Sequence, residues 1–416
     1  MITLERNDTK LDDYWSNRPV DRRQLSRTAG QYLADGLSGG KISETTILAG
    51  ATVLTPDGPK KGHLAMANGV IINIGNGLVP NNSVNIEGDW LVPGLVELHT
   101  DNLEKHLLPR PGIYWPEPGA AVEAHDAQLI GAGITTVFDS ICVGESVDRG
   151  RHVLLQMSLD ALQETESYLR ADHRLHLRCE ISDPEMGELF DQVCHHPKIG
   201  LISLMDHTPG QRQWRDIQSY RQYYQQKCSD QELALLSERV KANRDRFAQF
   251  HSEKIARHTK INHIPLASHD DTLVEHVQWA SENGVTISEF PTTLQAAQAA
   301  ASCGLAVTMG APNLVRGQSH SGNVTTKEVA EAGLLSSLSS DYVPSSLLSG
   351  VTLLYRDCGF SWWEAFKTVT ASPAQLAKLP DRGCLVPGYK ADVLRVSLNG
   401  PRPVIRSVWI SGQRVF

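Results

Sequence analysis

Hydrophobic and polar positions divide the chain into three textures. Residues 1 to about 44 show no sustained apolar period, carry Asp12-Asp13 and Arg22-Arg23, and end in Gly36-Leu-Ser-Gly-Gly40. They are expected to form an N-terminal extension that carries no chemistry. From Thr46 onward short apolar runs appear: Ile47–Leu54, Gly62–Met66 and Val70–Ile74, with Asp57-Gly58 and Asn68-Gly69 between them. Asp-Gly and Asn-Gly between apolar runs predict tight hairpins. The same texture returns at Gly388–Val396 and Val404–Phe416. Neither terminus has enough strands for a stable sheet of its own. The two are therefore expected to pair into one small β-sandwich domain, residues 45–90 plus 384–416.

The centre, 91–383, alternates apolar runs with segments of helical spacing. The strand candidates are Leu91–Leu98, Thr135–Asp139, Arg174–Glu180, Gly200–Asp206, Ile264–Ser268, Val285–Phe290, Ala306–Gly310 and Leu335–Ser340. Val153–Leu169, Asp230–Phe250 and Thr272–Ser281 have helical spacing. Strand–helix alternation predicts a parallel sheet, and eight repeats predict an α/β fold of the (β/α)8 TIM-like barrel type. The competing open, doubly wound sheet lacks support, because no Gly-x-Gly-x-x-Gly loop occurs.

Composition narrows the function. Hydrophobic residues make up 41% and charged residues 21%, the balance of an ordinary globular protein. A net charge of -8 argues against a nucleic-acid surface. No apolar run approaches the ~20 residues that span a bilayer, and the N-terminus lacks a basic region followed by an apolar core. The seven cysteines are scattered without Cys-x-x-Cys, as expected of reduced thiols in a cytoplasmic protein.

The candidate chemistry sits where the predicted strands end. The first ends in His99-Thr-Asp101, the third in Glu180, the fourth in Asp206-His207, the fifth in His269-Asp270 and the eighth in Asp341. In a barrel these ends form one rim, where active sites lie. Residues i and i+2 of a strand share a face, so His99 and Asp101 are expected to face one ion together. Three imidazoles and three carboxylates would converge, and their mutual repulsion calls for a cation. Mixed nitrogen and oxygen donors suit Zn, Mn or Fe, as one or two divalent ions. Glu180 is expected to bridge if there are two.

Longer strings carry a resemblance. They are Pro93–His106, Pro109-Arg-Pro111, His125-Asp-Ala-Gln128, Gly133–Asp139, Arg174–Glu180, Ser203–Gln213, Ala267–Asp271, Glu289–Thr293, Met309–Asn323 and Leu338–Tyr342. With the fold pattern they make residues 45–416 resemble the amidohydrolase superfamily, and within it the diphosphatases of phosphonate catabolism by the carbon–phosphorus lyase route. The first 44 residues have no counterpart. Asp101 stands where the wider superfamily has a second His, and Glu180 where it has a carboxylated Lys.

The resemblance implies hydrolysis of α-D-ribose 1-methylphosphonate 5-triphosphate to the 5-phosphate and pyrophosphate. Asp341 would accept the proton of a metal-activated water. Lys105, Arg110, Gln211, Arg212, Arg316 and His320 are candidates for binding the substrate's anionic groups. Of these, Arg316 and His320 stand in a glycine-rich loop, 310–323, that could offer backbone N–H groups to phosphate. The expected partner is this small molecule, and a homo-oligomer is compatible with the reading. Two alternatives stay open: a metal-dependent amidohydrolase or deacetylase acting on a C–N bond, and a non-catalytic scaffold barrel.

Overall fold

The computed structural model describes residues 45–145, 150–214, 217–224, 229–319, 322–400 and 402–416. The expected N-terminal extension and His320 lie outside the described residues. The strands of the first part are β1 (Thr46–Thr55), β2 (Gly58–Ala67), β3 (Val70–Gly75), β4 (Val84–Asn85) and β5 (Trp90–Pro93). The chain returns to them at the end with β14 (Val393–Ser397), β15 (Val404–Ile410) and β16 (Gln413–Arg414). All belong to one sheet, ordered β16-β15-β14-β5-β1-β2-β3 with β4 on β1. The turn between β2 and β3 uses Asn68 and Gly69, both at positive φ, as an Asn-Gly hairpin requires. Leu48, Val53, Leu64, Met66 and Ile71 from one terminus bury against Leu385, Ala391, Val393 and Trp409 from the other.

The barrel consists of β6 (Leu95–Thr100), β7 (Ile134–Val143), β8 (Asp172–Glu180), β9 (Ile199–Met205), β10 (Leu266–His269), β11 (Ile287–Glu289), β12 (Ala306–Gly310) and β13 (Leu335–Ser339). They pair in sequence order, each parallel to the next. Val96, Leu98, Phe138, Leu201, Ala267 and Ile287 meet across the interior and pack on Ala374, Ala377 and Leu379.

The seam between β6 and β13 is closed mainly by side chains. One backbone bridge joins Thr100 to Asp341. Ser339 Oγ donates to His99 O at 2.5 Å, and Thr100 Oγ1 donates to Asp341 O at 2.7 Å. Glu97 accepts from the backbone N–H groups of His99 (2.7 Å) and Ser340 (2.6 Å). Burial pushes the Glu97 carboxyl up to about 7, although these donors favour its charged form. Elsewhere along the seam Val96 N donates to Val369 O and Leu338 N to Thr368 O, both at 2.9 Å.

Three expectations need correction. The apolar run Leu91–Leu98 is two strands: β5 pairs with β1 and β14 in the small sheet, and β6 opens the barrel. The chain crosses over at Gly94, where a Cβ would lie 2.1 Å from Thr135 Oγ1; only glycine permits that approach. Asp101 is not a strand residue. It precedes the helix Asn102–Leu107 with φ -95° and ψ 14°, and the β6–β7 register slips between Glu97 and Thr100. Simple strand alternation therefore does not relate His99 to Asp101. The expected loop 310–323 begins as the helix Ala311–Arg316, ended by Gly317 at φ 72°.

The predicted helix at Asp230 also runs further, to Asn262. A capping box of Ser229 and Glu232 starts it, and Ile255, Ala256 and Thr259 keep its buried face going beyond Phe250. Dense charge on the opposite face hid that period.

Candidate active site

The C-terminal strand ends open on a cavity of about 530 Å³. His99, Asp101, His207, His269 and Asp341, all expected from the sequence, line it, together with Asp270. The ring centroids of His99 and His269 are 5.3 Å apart, and those of His207 and His269 6.2 Å. Residues Asp270, Phe290 and Asp341, each just beyond a strand end, have φ of 58°, 53° and 50°. A non-glycine residue in the left-handed region costs roughly 1–2 kcal/mol. Such turns cluster where the surrounding structure must aim a side chain. Phe290 is the clearest case: its ring packs edge-on against His99 at 5.0 Å and His269 at 5.3 Å.

Glu180 stands behind the cavity wall. It is fully buried, its Oε2 lies 2.7 Å from His207 Nδ1, and its Oε1 accepts from Ser182 Oγ at 2.6 Å. This is the arrangement by which a carboxylate fixes the tautomer and orientation of a ligating imidazole. Glu289 of β11 was not among the sequence candidates. Its Oε1 lies 3.3 Å from His99 Nδ1, and His99, His269 and Glu289 bring ligand atoms within 4.8 Å of one another. The signal was available, since Glu289 also ends an apolar run.

The residues fit a divalent cation. Asp101 Oδ1, Glu289 Oε2 and His269 Nε2 are buried without a hydrogen-bond partner, whereas His269 Nδ1 lies 2.8 Å from Asp270 Oδ2. Buried polar atoms are ordinarily satisfied, so three orphans on adjoining side chains imply an electrophile that binds there. Burial, with the charges of Arg178 and His269, holds the His99 imidazole well below its usual range, in the neutral form that binds metal. Burial and then the Asp101 charge push the Asp341 carboxyl up to about 8, against the opposing pull of Arg178. Crowded carboxylates of this kind are what a cation relieves.

The cationic candidates divide. Arg316 lines the cavity and is exposed. Arg212 does not line it: its Nη1 donates to His269 O at 2.6 Å and to Asp271 Oδ1 at 2.7 Å, and so braces the end of β10. Lys105 donates to Tyr342 O and lies over the Tyr342 ring. Arg110 is exposed, and Gln211 serves the turn through its backbone; neither lines the cavity, whereas Gln213 does. Two arginines absent from the sequence candidates, Arg151 and Arg178, also line it. Arg178 could have been suspected from alternation, because His176, Arg178 and Glu180 are polar at every second position of a buried strand.

A second cluster lies behind β7. His125, on the helix Pro118–Gly131, has Nε2 2.8 Å from Asp139 Oδ1, and His173 Nδ1 is 2.7 Å from Asp139 Oδ2. His173 Nε2 reaches Asp126, which Arg170 also binds at 2.7 Å. Asn102, adjoining Asp101, donates to His125 Nδ1 at 3.0 Å.

Comparison with known proteins decides the family. No family model matches the chain. The α-D-ribose 1-methylphosphonate 5-triphosphate diphosphatase of Escherichia coli (strain K12) is 44% identical over 337 residues, covering 79% of this chain and 89% of that protein. The chain belongs to this diphosphatase family. Solved structures share the family's barrel at much lower identity. N-isopropylammelide isopropylaminohydrolase from Burkholderia multivorans ATCC 17616 matches with a TM-score of 0.60 and 15% identity, over 89% of this chain and 98% of that one. The 5-methylcytosine deaminase from Klebsiella pneumoniae, liganded with 5-fluorocytosine, matches with a TM-score of 0.60 and 12% identity, over 89% and 97%. These structures share the fold of the chain described here. Among the described residues no helix is long and apolar enough to cross a membrane.

Proposed function

We infer that this chain hydrolyses α-D-ribose 1-methylphosphonate 5-triphosphate to the 5-phosphate and pyrophosphate, with a divalent cation, as a step in phosphonate breakdown. The observation that carries the reading is one cavity wall that combines orphaned ligand atoms, on Asp101 and His269, with a set of arginines, while Glu289 stands against His99 beside it. The first feature fits a metal and the second an anionic substrate. Family membership supports the phosphoric anhydride as the bond that breaks.

In this reading His99, Asp101, His207, His269, Glu289 and Asp341 supply the metal-facing atoms, and Glu180 orients His207. A cation held there would lower the pKa of bound water toward neutrality and polarise a phosphoryl oxygen. Asp341, on the cavity wall, takes the proton of the attacking water. Phe290 fixes the rings of His99 and His269, so little reorganisation is needed during reaction. Arg316, exposed at the outer edge, holds the anionic chain and adds mainly to ground-state binding. We place Lys105, Arg110, Gln211 and Arg212 outside direct contact with the substrate.

Phosphorus NMR of the products, with metal analysis of the same sample, tests this. The expected result is one equivalent each of pyrophosphate and the ribose 5-phosphate, from a protein that contains divalent metal. Release of orthophosphate alone, or turnover only of cyclic amides, would overturn the reading.

A further inference from the structure

Arg178 is at odds with the other buried and half-buried arginines. Arg382, 8% exposed, donates to Thr136, Asp172 and Asp381. Arg212 is tied to Asp271 and the His269 carbonyl, and Arg244 to Asp206. Arg178 is 7% exposed and its Nε is orphaned. Among the described residues it makes no hydrogen bond and no ion pair within 4.0 Å. A buried charge without a direct partner destabilises the fold, and nothing in the folding of β8 requires one there.

The position of Arg178 suggests what meets this demand. It shares the inward face of β8 with His176 and Glu180 and lines the cavity. It acts electrostatically on His99, Asp101 and Asp341. It therefore stands at the depth of the metal-facing groups, whereas Arg316 stands at the exposed edge. A guanidinium is a planar fork of N–H donors that matches two oxygens of one phosphoryl group.

We propose that Arg178 is a substrate-contacting residue whose guanidinium binds non-bridging oxygens of the phosphoryl group that lies over the metal-facing groups. The inference rests on the phosphoric-anhydride reading above and adds to it the residue that neutralises the reacting phosphorus. Its side chain stands buried in the cavity wall before substrate arrives. Charge that builds on those oxygens during displacement is then stabilised more than the ground state is. Arg178 thus differs in kind from Arg316: its loss lowers kcat, and loss of Arg316 raises KM.

The test uses the full chain with its metal content measured, and the variants Arg178→Met and Arg178→Lys. Met keeps the bulk and removes the unpaired charge, so thermal stability and metal content are expected to equal or exceed those of the parent. Turnover of the ribose triphosphate is expected to fall about 100-fold in kcat. Calorimetric affinity for inorganic pyrophosphate is expected to fall about tenfold or more. Lys keeps the charge without the fork and should recover part of both losses; it also serves if the Met variant fails to fold.

Parental pyrophosphate affinity in Arg178→Met would overturn the inference, even if turnover were reduced, because the arginine would then act only through its neighbours. The two readings separate cleanly. Pyrophosphate binding that depends on Arg178, in a chain that cleaves no triphosphate, would keep the anion site and remove the diphosphatase. Normal triphosphate cleavage by Arg178→Met would do the reverse.

Discussion

His99, His269 and Glu289 at the cavity, and His125, Asp139 and His173 behind β7, each gather ligand-type atoms within 4.8 Å. By residue type either trio could hold a metal. In the second, Asp139 has an imidazole on each oxygen, at 2.8 and 2.7 Å, and the outer faces of the imidazoles meet Asn102 and Asp126. In the first, Glu289 Oε2 and His269 Nε2 have no partner, and His269 Nδ1 is held by Asp270 Oδ2 at 2.8 Å. Satisfaction separates them: a closed network contributes to folding, and an open one waits for a ligand. Proximity of histidines and carboxylates alone would have ranked the two equally.

The contrast predicts opposite responses to substitution. The largest effect belongs to the open cluster. His269→Ala should reduce triphosphate turnover on the order of a thousandfold or more, because a cation ligand is lost. Its urea midpoint should fall only modestly, since the one polar contact removed is that of His269 Nδ1 with Asp270 Oδ2. A large fall in midpoint would show that the cluster is structural after all. Next comes Asp139→Asn, which leaves two buried imidazoles with one carboxylate fewer. It should lower folding stability by about 3–5 kcal/mol, with metal content per folded molecule unchanged. Loss of metal without loss of stability would reverse the assignment of the two clusters.

A smaller, pH-dependent effect sharpens the same point. Burial opposes charge on His173, but the Asp139 and Asp126 carboxylates outweigh it and hold the imidazole up to about 9. Its folded value thus lies above the unfolded value of about 6.5. The folded chain binds more protons between the two, so this contribution is complete below about pH 6.5 and is lost as pH rises through about 9. Urea unfolding across that window should show the decline, and His173→Gln should flatten it. A parent curve equally flat would remove the charged His173 from the network. The smallest effect is at the cavity edge. Arg316→Ala should raise KM for the triphosphate about tenfold, roughly 1.4 kcal/mol, with kcat nearly unchanged. A kcat effect as large as that expected for Arg178 would collapse the distinction between edge and depth.

The site was legible where one rule applied: polar residues that end buried strands of a barrel share a rim. That rule found His99, His207, His269 and Asp341. It placed Asp101 for a reason the register slip at Glu97–Thr100 undoes. It would have found Glu289 had it been applied to β11. It could not weigh the basic residues, because Lys105, Arg110 and Arg212 are near rim residues in sequence yet turn to Tyr342, to solvent and to Asp271.

The sequence by itself determined the architecture, since eight apolar runs separated by helical spacing can bury their surfaces together only as a closed parallel sheet, and the two strand-rich termini need each other to complete a core. Only the tertiary structure decided which histidine–carboxylate group is open and which arginine stands unpaired at depth. Those properties depend on whether a second polar atom lies within about 3 Å, and that atom comes from a strand or helix many residues away. Periodicity tells which face a side chain takes; it carries no record of what meets it there.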